Sequence, residues 1–477
     1  KRYIFLTLTL CFFGVINTNA QTWTQVGSDI DGEAAVDYSG WSVSLSSDGS
    51  TLAIGAYRND GNGNSSGHVR IYKNISGSWT QVGSDIDGEA ANDYSGWSVS
   101  LSSDGSTVAM GGFNNDGNGS DAGHVRIYKN ISGSWTQVGS DIDGEAAGDN
   151  SGYSVSLSSD GSTVAIGAYG NDGNGSNSGH VRIYKNISGT WTQVGSDIDG
   201  EAANDGFGRS VSLSSNGSTV AIGAPWNDGN GTDAGHVRIY KNISGTWTQV
   251  GADIDGEATN GYSGQSVSLS SDGSTVAIGA YANNGNGHYS GHVRIYKNIS
   301  GSWTQVGSDI DGEAAADQSG NSVSLSSDGS TVAIGAPRNS GNGTDAGHVR
   351  IYKNISGSWT QVGSDIDGEA ANDQSGWSVS LSSDGSTVAI GASLNDGNGS
   401  YSGHVRVYST CTTTSSTDTI TSCDPYTWTN GVTYTISNNT ATDTFVNAAG
   451  CDSIITLNLT ITSPPSIYTE DSVICAG

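Results

Sequence analysis

The chain has 477 residues and a formal net charge of −29, with 71 glycines and only 5 prolines. So acidic a chain repels nucleic acid and anionic lipid, which leaves cations, cationic partners and neutral glycans as ligand classes. No helical period is sustained beyond the N-terminus; Ser/Thr/Val alternation punctuated by Gly, Asn and Asp predicts an all-β protein.

Residues 1–20 read as a secretory signal peptide. Lys1 and Arg2 precede an apolar run from Tyr3 to Ile16, and Thr18-Asn19-Ala20 suits cleavage beside small residues. The run is short for a membrane span and no second one follows, so the mature chain is expected not to insert in a membrane. The expected location is secreted or cell-surface.

Residues 21–410 are repetitive. "WTQVG" begins at Trp23, Trp79, Trp135, Trp191, Trp247, Trp303 and Trp359, 56 residues apart each time. The first unit predicts four strands, at Trp23–Gly27, Trp41–Ser46, Thr51–Gly55 and His68–Lys73. Asp48-Gly49 marks a tight hairpin, because such turns need the positive φ that these residues tolerate. Seven units of four short strands predict a seven-bladed β-propeller. Along the strands, Val43 and Leu45 alternate with serines, and Leu52 and Ile54 alternate with Ala53 and Gly55. One blade's large face is therefore expected to pack on its neighbour's small face. A Trp strand opens the array, yet none follows "GHVRVYS" at 403–409. The N-terminal strand is thus expected to complete blade seven and close the ring, which removes exposed strand edges.

Residues 411–462 are Thr-rich and Cys-containing and predict a small β-sandwich-like module with a hairpin turn at Asn430-Gly431. Cys411, Cys423, Cys451 and Cys475 suggest disulfides whose pairing the sequence leaves open. Residues 463–477 read as a linker and the start of a further module.

The repeat resembles the FG-GAP family, the blade unit of the integrin α-subunit propeller and its bacterial relatives. Phe207-Gly208 and Gly223-Ala224-Pro225 stand at the eponymous positions. Ser39-Gly40 and its counterparts replace Phe-Gly elsewhere, and Gly-Ala-Pro recurs at 335–337. The Cys-containing segment looks like a β-module of secreted bacterial surface proteins. The resemblance implies a non-enzymatic adhesion or ligand-binding module with an extracellular protein or glycan as partner. A lectin-like part of a polysaccharide-active protein and a structural spacer are the alternatives. Calcium-binding blades of this family carry an acidic hairpin before Gly-Ala-Pro. Here the counterpart, Ser44 to Thr51, has one acid, too few oxygen ligands for that ion.

With the innermost strand taken as running downward, the Asp48 and Asn74 loops lie on the lower face. The "DIDGEAAVDYSG" and "YRNDGNGNSSG" loops lie on the upper face, where most differences between units gather. Position 41 and its counterparts read Trp41, Trp97, Tyr153, Arg209, Gln265, Asn321 and Trp377. This aromatic-rich arc suits sugar stacking or protein contact, and Trp41, Trp97, Tyr153, Arg209, Trp226 and Trp377 are the candidate ligand-binding residues. Crowded upper-face carboxylates favour a bridging divalent cation, with Asp29, Asp31, Glu33 and Asp37 as candidate calcium ligands in the first unit. Arg70 is expected to neutralise Asp29 or Asp31, and the His68 ring to be structural. Near-identical blades offer no asymmetric catalytic set.

Overall fold

The computed structural model describes residues 22–410, 414–446 and 452–462. The signal-peptide expectation falls on residues 1–20, outside these. Seven antiparallel sheets share one plan. In the first blade the order is Ser42–Leu45, Thr51–Ala56, His68–Ile75 and Ser78–Gln81, from the axis outward. A two-residue strand, Ile86–Asp87, pairs with Val69 and His68 at the top of the third strand. This strand lies within a segment whose sequence predicts only a loop; the buried Ile86, a lone apolar residue between aspartates, is its one sequence signal. No helix among the described residues is long and apolar enough to cross a membrane.

Blade seven consists of Ser378–Leu381, Thr387–Ala392 and His404–Thr410, completed by Trp23–Gln25 and Ile30–Asp31 from the other end of the described chain. The ring closes as the phase of the repeats predicted. Two further rings reinforce it. On the lower face the Ser47 amide donates to the Ser103 carbonyl at 2.8 Å, and the relation repeats through Ser159, Ser215, Ser271 and Ser327 to Ser383, whose amide returns to the Ser47 carbonyl. Around the outside, each Trp indole N–H donates to a carbonyl of the preceding blade, as from Trp79 to Val26 at 2.8 Å and from Trp23 to Val362 at 2.9 Å.

Between blades the packing follows the alternation. Leu45, Leu52 and Ile54 bury against Ala389, Val405 and Val407 of blade seven, while Ala53 faces Leu101, Val108 and Met110 of blade two. Burying each such Leu or Ile side chain contributes about 1.5–3 kcal/mol. The inner-strand serines stitch the same interfaces. Ser42 Oγ donates to the Gly96 carbonyl at 2.8 Å, and Ser44 Oγ accepts from the Leu101 amide at 2.9 Å. At the Asp48-Gly49 hairpin, the Asp48 carboxylate accepts from Ser46 Oγ and from the Ser50 amide and hydroxyl. It is committed to the turn, and Asn216 makes the same turn in the unit lacking the acid.

The C-terminal region contains a three-stranded sheet in the order Thr414–Ser422, Asp452–Ile461, Thr442–Val446, with the first pair parallel. A separate hairpin, Tyr426–Thr427 with Thr433–Tyr434, turns at Asn430-Gly431 as expected. Trp428, Leu457 and Leu459 are buried together. Of the cysteines discussed above only Cys423 lies among the described residues, so their pairing falls outside them.

Candidate ligand site at the channel mouth

Every innermost strand reads Ser-Val-Ser-Leu, so the channel wall is uniform around the axis. The residue just before each strand, at the upper mouth, is not. A turn holds each one there, as where the Trp41 amide donates to the Tyr38 carbonyl at 3.1 Å. Trp41, Trp97, Tyr153, Arg209, Gln265, Asn321 and Trp377 thereby meet around one cavity of about 420 Å³.

The aromatic members form a continuous arc. Ring centroids lie 4.6 Å apart between Trp377 and Trp41 and between Trp41 and Trp97, and 5.3 Å apart between Trp97 and Tyr153. A second tier supports them from behind. Tyr57 packs on Trp41 at 4.7 Å, Phe113 on Trp97 at 4.6 Å and Tyr169 on Tyr153 at 4.6 Å. Burial among these rings pushes the Tyr57 hydroxyl up to about 12, so it stays protonated.

Arg209 ends the arc. Its guanidinium lies 4.7 Å from the Tyr153 ring centroid and 4.8 Å from that of Trp226, and its Nε donates to Gln265 Oε1 at 3.2 Å. Cation–π attraction and one side-chain hydrogen bond fix its plane. Trp226 occupies space that exists because residue 206 is glycine; a Cβ there would collide with the indole. Other units carry Tyr, Asn or Gln at that position. Gln265 and Asn321 form the polar side, and Asn321 Nδ2 donates to the Trp377 carbonyl at 3.2 Å. Tyr281, Gln318 and Arg338 also line the cavity. They were not singled out from sequence, although they fall at the variable upper-face positions. All six candidate ligand residues thus lie at or against the mouth, with Trp226 packed on Arg209 behind the lining.

The four carboxylates proposed as one calcium set are divided between blades, because "DIDGE" crosses an interface. Asp29 stands with His404 and Glu369 in blade seven, whereas Glu33 stands with His68 and Asp85 in blade one. Asp31 is exposed. Asp37 is buried, and its Oδ2 accepts from the Ala34 amide at 3.0 Å and Asn59 Nδ2 at 3.2 Å. Burial raises its pKa, opposed by these hydrogen bonds. Arg70 engages neither expected carboxylate: it donates to the Asp31 carbonyl at 2.7 Å and lies 3.6 Å from Glu33. The reason is that Asp31 sits in a strand with its side chain turned to solvent. Burial, and then the Arg70 charge, lower the His68 pKa to about 4, so its imidazole is neutral at physiological pH.

Comparison with known proteins adds a family. The FG-GAP repeat model matches residues 28–72, 140–184, 196–240 and 364–408. These are FG-GAP repeats. The structure supplies the physical content of the signature. Gly208 of one FG-GAP unit, with φ +89°, lies directly on Gly167 of the preceding one, and a Cβ on Gly167 would be driven into the Gly208 carbonyl. No curated protein matches the chain significantly. Among solved structures, a putative 6-phosphogluconolactonase from Bacteroides uniformis is similar at 13% identity and TM-score 0.49. The periplasmic gluconolactonase PpgL of Pseudomonas aeruginosa is similar at 15% identity and TM-score 0.48. Each likeness covers 69% of this chain and 86% of the other.

Proposed function

We propose that this FG-GAP propeller is an exported, non-enzymatic binding module that serves adhesion at the cell surface and seats an extracellular glycan at the upper mouth of its channel. One observation carries the reading: seven nearly identical blades differ where their innermost residues converge on a single cavity. The chemistry of that cavity suits a sugar. Apolar C–H faces of a pyranose stack on Trp377, Trp41 and Trp97, while Gln265, Asn321 and Gln318 offer amides to its hydroxyls. The lining contains no carboxylate, histidine or cysteine to act as nucleophile or general base. An extracellular protein that inserts a polar loop into the same mouth is the competing ligand.

A glycan array, followed by calorimetry on the best binder, tests this. Trp97→Ala and Gln265→Ala are each expected to weaken binding at least tenfold, about 1.4 kcal/mol, with the fold retained by circular dichroism. Glycan binding that survives both changes would sink the assignment of the mouth. An array without hits, together with a protein ligand lost on the same changes, would replace sugar with protein.

A further inference from the structure

We propose that five of the seven junctions between blades are divalent-metal sites of the zinc class, each formed by one buried histidine, one Glu and one Asp. This goes beyond the glycan reading and uses different residues. In blade one, His68 Nδ1 lies 3.6 Å from Asp85 Oδ2 and 3.9 Å from Glu33 Oε2. These separations exceed a hydrogen bond. His68 is 1% exposed, and neither ring nitrogen has a hydrogen-bond partner. A buried polar group is normally paired, so an imidazole nitrogen aimed unpaired at two carboxylate oxygens lacks something between them.

The carboxylates are arranged for that role. Gln81 Nε2 donates to Asp85 Oδ1 at 2.6 Å, which leaves Oδ2 toward the histidine. Arg70 lies on Glu33 Oε1, which leaves Oε2 toward it. Each acid is therefore oriented through the oxygen that does not face the imidazole, as supporting groups orient metal ligands. The arrangement recurs with the same atoms. His124 Nδ1 lies 3.7 Å from Asp141 and 3.8 Å from Glu89, and His348 Nδ1 lies 3.7 Å from Asp365 and 3.9 Å from Glu313. His180 and His404 have both acids within 3.9 Å, while His236 and His292 have only the Asp within reach.

Zinc holds nitrogen and oxygen ligands at about 2.0–2.2 Å, which sets adjacent donors roughly 3–3.6 Å apart. The nitrogen–oxygen separations need only a few tenths of an ångström of contraction, and all three donor atoms lie within 4.8 Å of one another. One imidazole among carboxylates selects a borderline ion over calcium, whose ligands are oxygens.

The test is native mass spectrometry of the full chain, stripped with chelator, reloaded with Zn²⁺ and desalted, with Ca²⁺ as a parallel arm. At least five Zn²⁺ are expected per chain, one for each complete triad. The His68→Gln/His348→Gln pair should lower the count by two. Glu33→Gln/Glu313→Gln, at exposed carboxylates that leave the packing intact, should weaken the same two sites about tenfold. No retained Zn²⁺, a count that neither double variant changes, or Ca²⁺ held as tightly as Zn²⁺ would overturn the proposal.

Discussion

Gly167 and Gly208 meet across a blade interface with no room for a methyl group on the first. Gly167 has no positive φ, so its requirement is steric rather than conformational. Gly167→Ala is therefore expected to destabilise by about 1–3 kcal/mol, the cost of overpacking a tight contact. Chemical denaturation measures it, and an unchanged midpoint would mean that the blades separate freely there. Phe207 shows how far single residues could be read. The Phe-Gly pair is visible in the sequence, and the Phe207 ring is wholly buried in a core shared by two adjacent blades, among Val181, Ile183 and Ile198 of one and Val211 and Leu213 of the next. In five other units the same position buries a serine hydroxyl without a partner, as at Ser39 and Ser151, whereas Ser95 accepts from Arg126 at 3.5 Å. The Ser-Gly copies looked equivalent because the glycine alone keeps the backbone contact. Arg209 was legible as an odd residue on the upper face. Its clamp between Tyr153 and Trp226 was not, because that depends on Gly206 leaving space in a neighbouring turn.

At the level of elements, closure is the dominant fact. The Trp23–Gln25 strand supplies blade seven's outer edge, and the Trp23 indole fastens that edge to blade six. Trp23→Phe keeps an aromatic ring at this edge and removes the hydrogen bond to the Val362 carbonyl. It should cost about 1 kcal/mol. Deleting residues 23–31 should do far more, because it bares the whole of His404–Thr410 as a sheet edge. The truncated chain is expected to melt at least 10 °C lower, or to associate, by scanning calorimetry and light scattering. A monomer with an unaltered transition would contradict the closure. This element was readable from phase alone, by counting one Trp strand too many at the front and one too few at the back. The Ile86–Asp87 strand and the lower-face serine ring were not readable. Two residues carry no periodicity, and backbone bonds between blades leave no trace in side-chain pattern.

For the whole molecule, charge distribution sets the balance. The acidic loops crowd onto one face, while the lower-face hairpins alternate Asp48-type acids with Lys73-type bases. Repulsion on the upper face opposes the packing beneath it. Raising monovalent salt from about 0.01 M to about 0.15 M shortens the screening length from roughly 30 Å to roughly 8 Å. The melting temperature should therefore rise with salt, whichever inert anion is used. A flat or falling dependence would show that the carboxylates are already neutralised by bound cations or by the buried arginines.

The split blade has a consequence for how such a chain can change length. Each unit enters and leaves the ring in the same phase, with one strand in front and three behind. A recombination event that adds or removes a whole repeat therefore always leaves a spare first strand and an incomplete last blade. Copy number can drift in the gene without creating an unmatched edge. What limits it is the fit of the inner strands around the axis, where a narrower or wider mouth would face a different ligand.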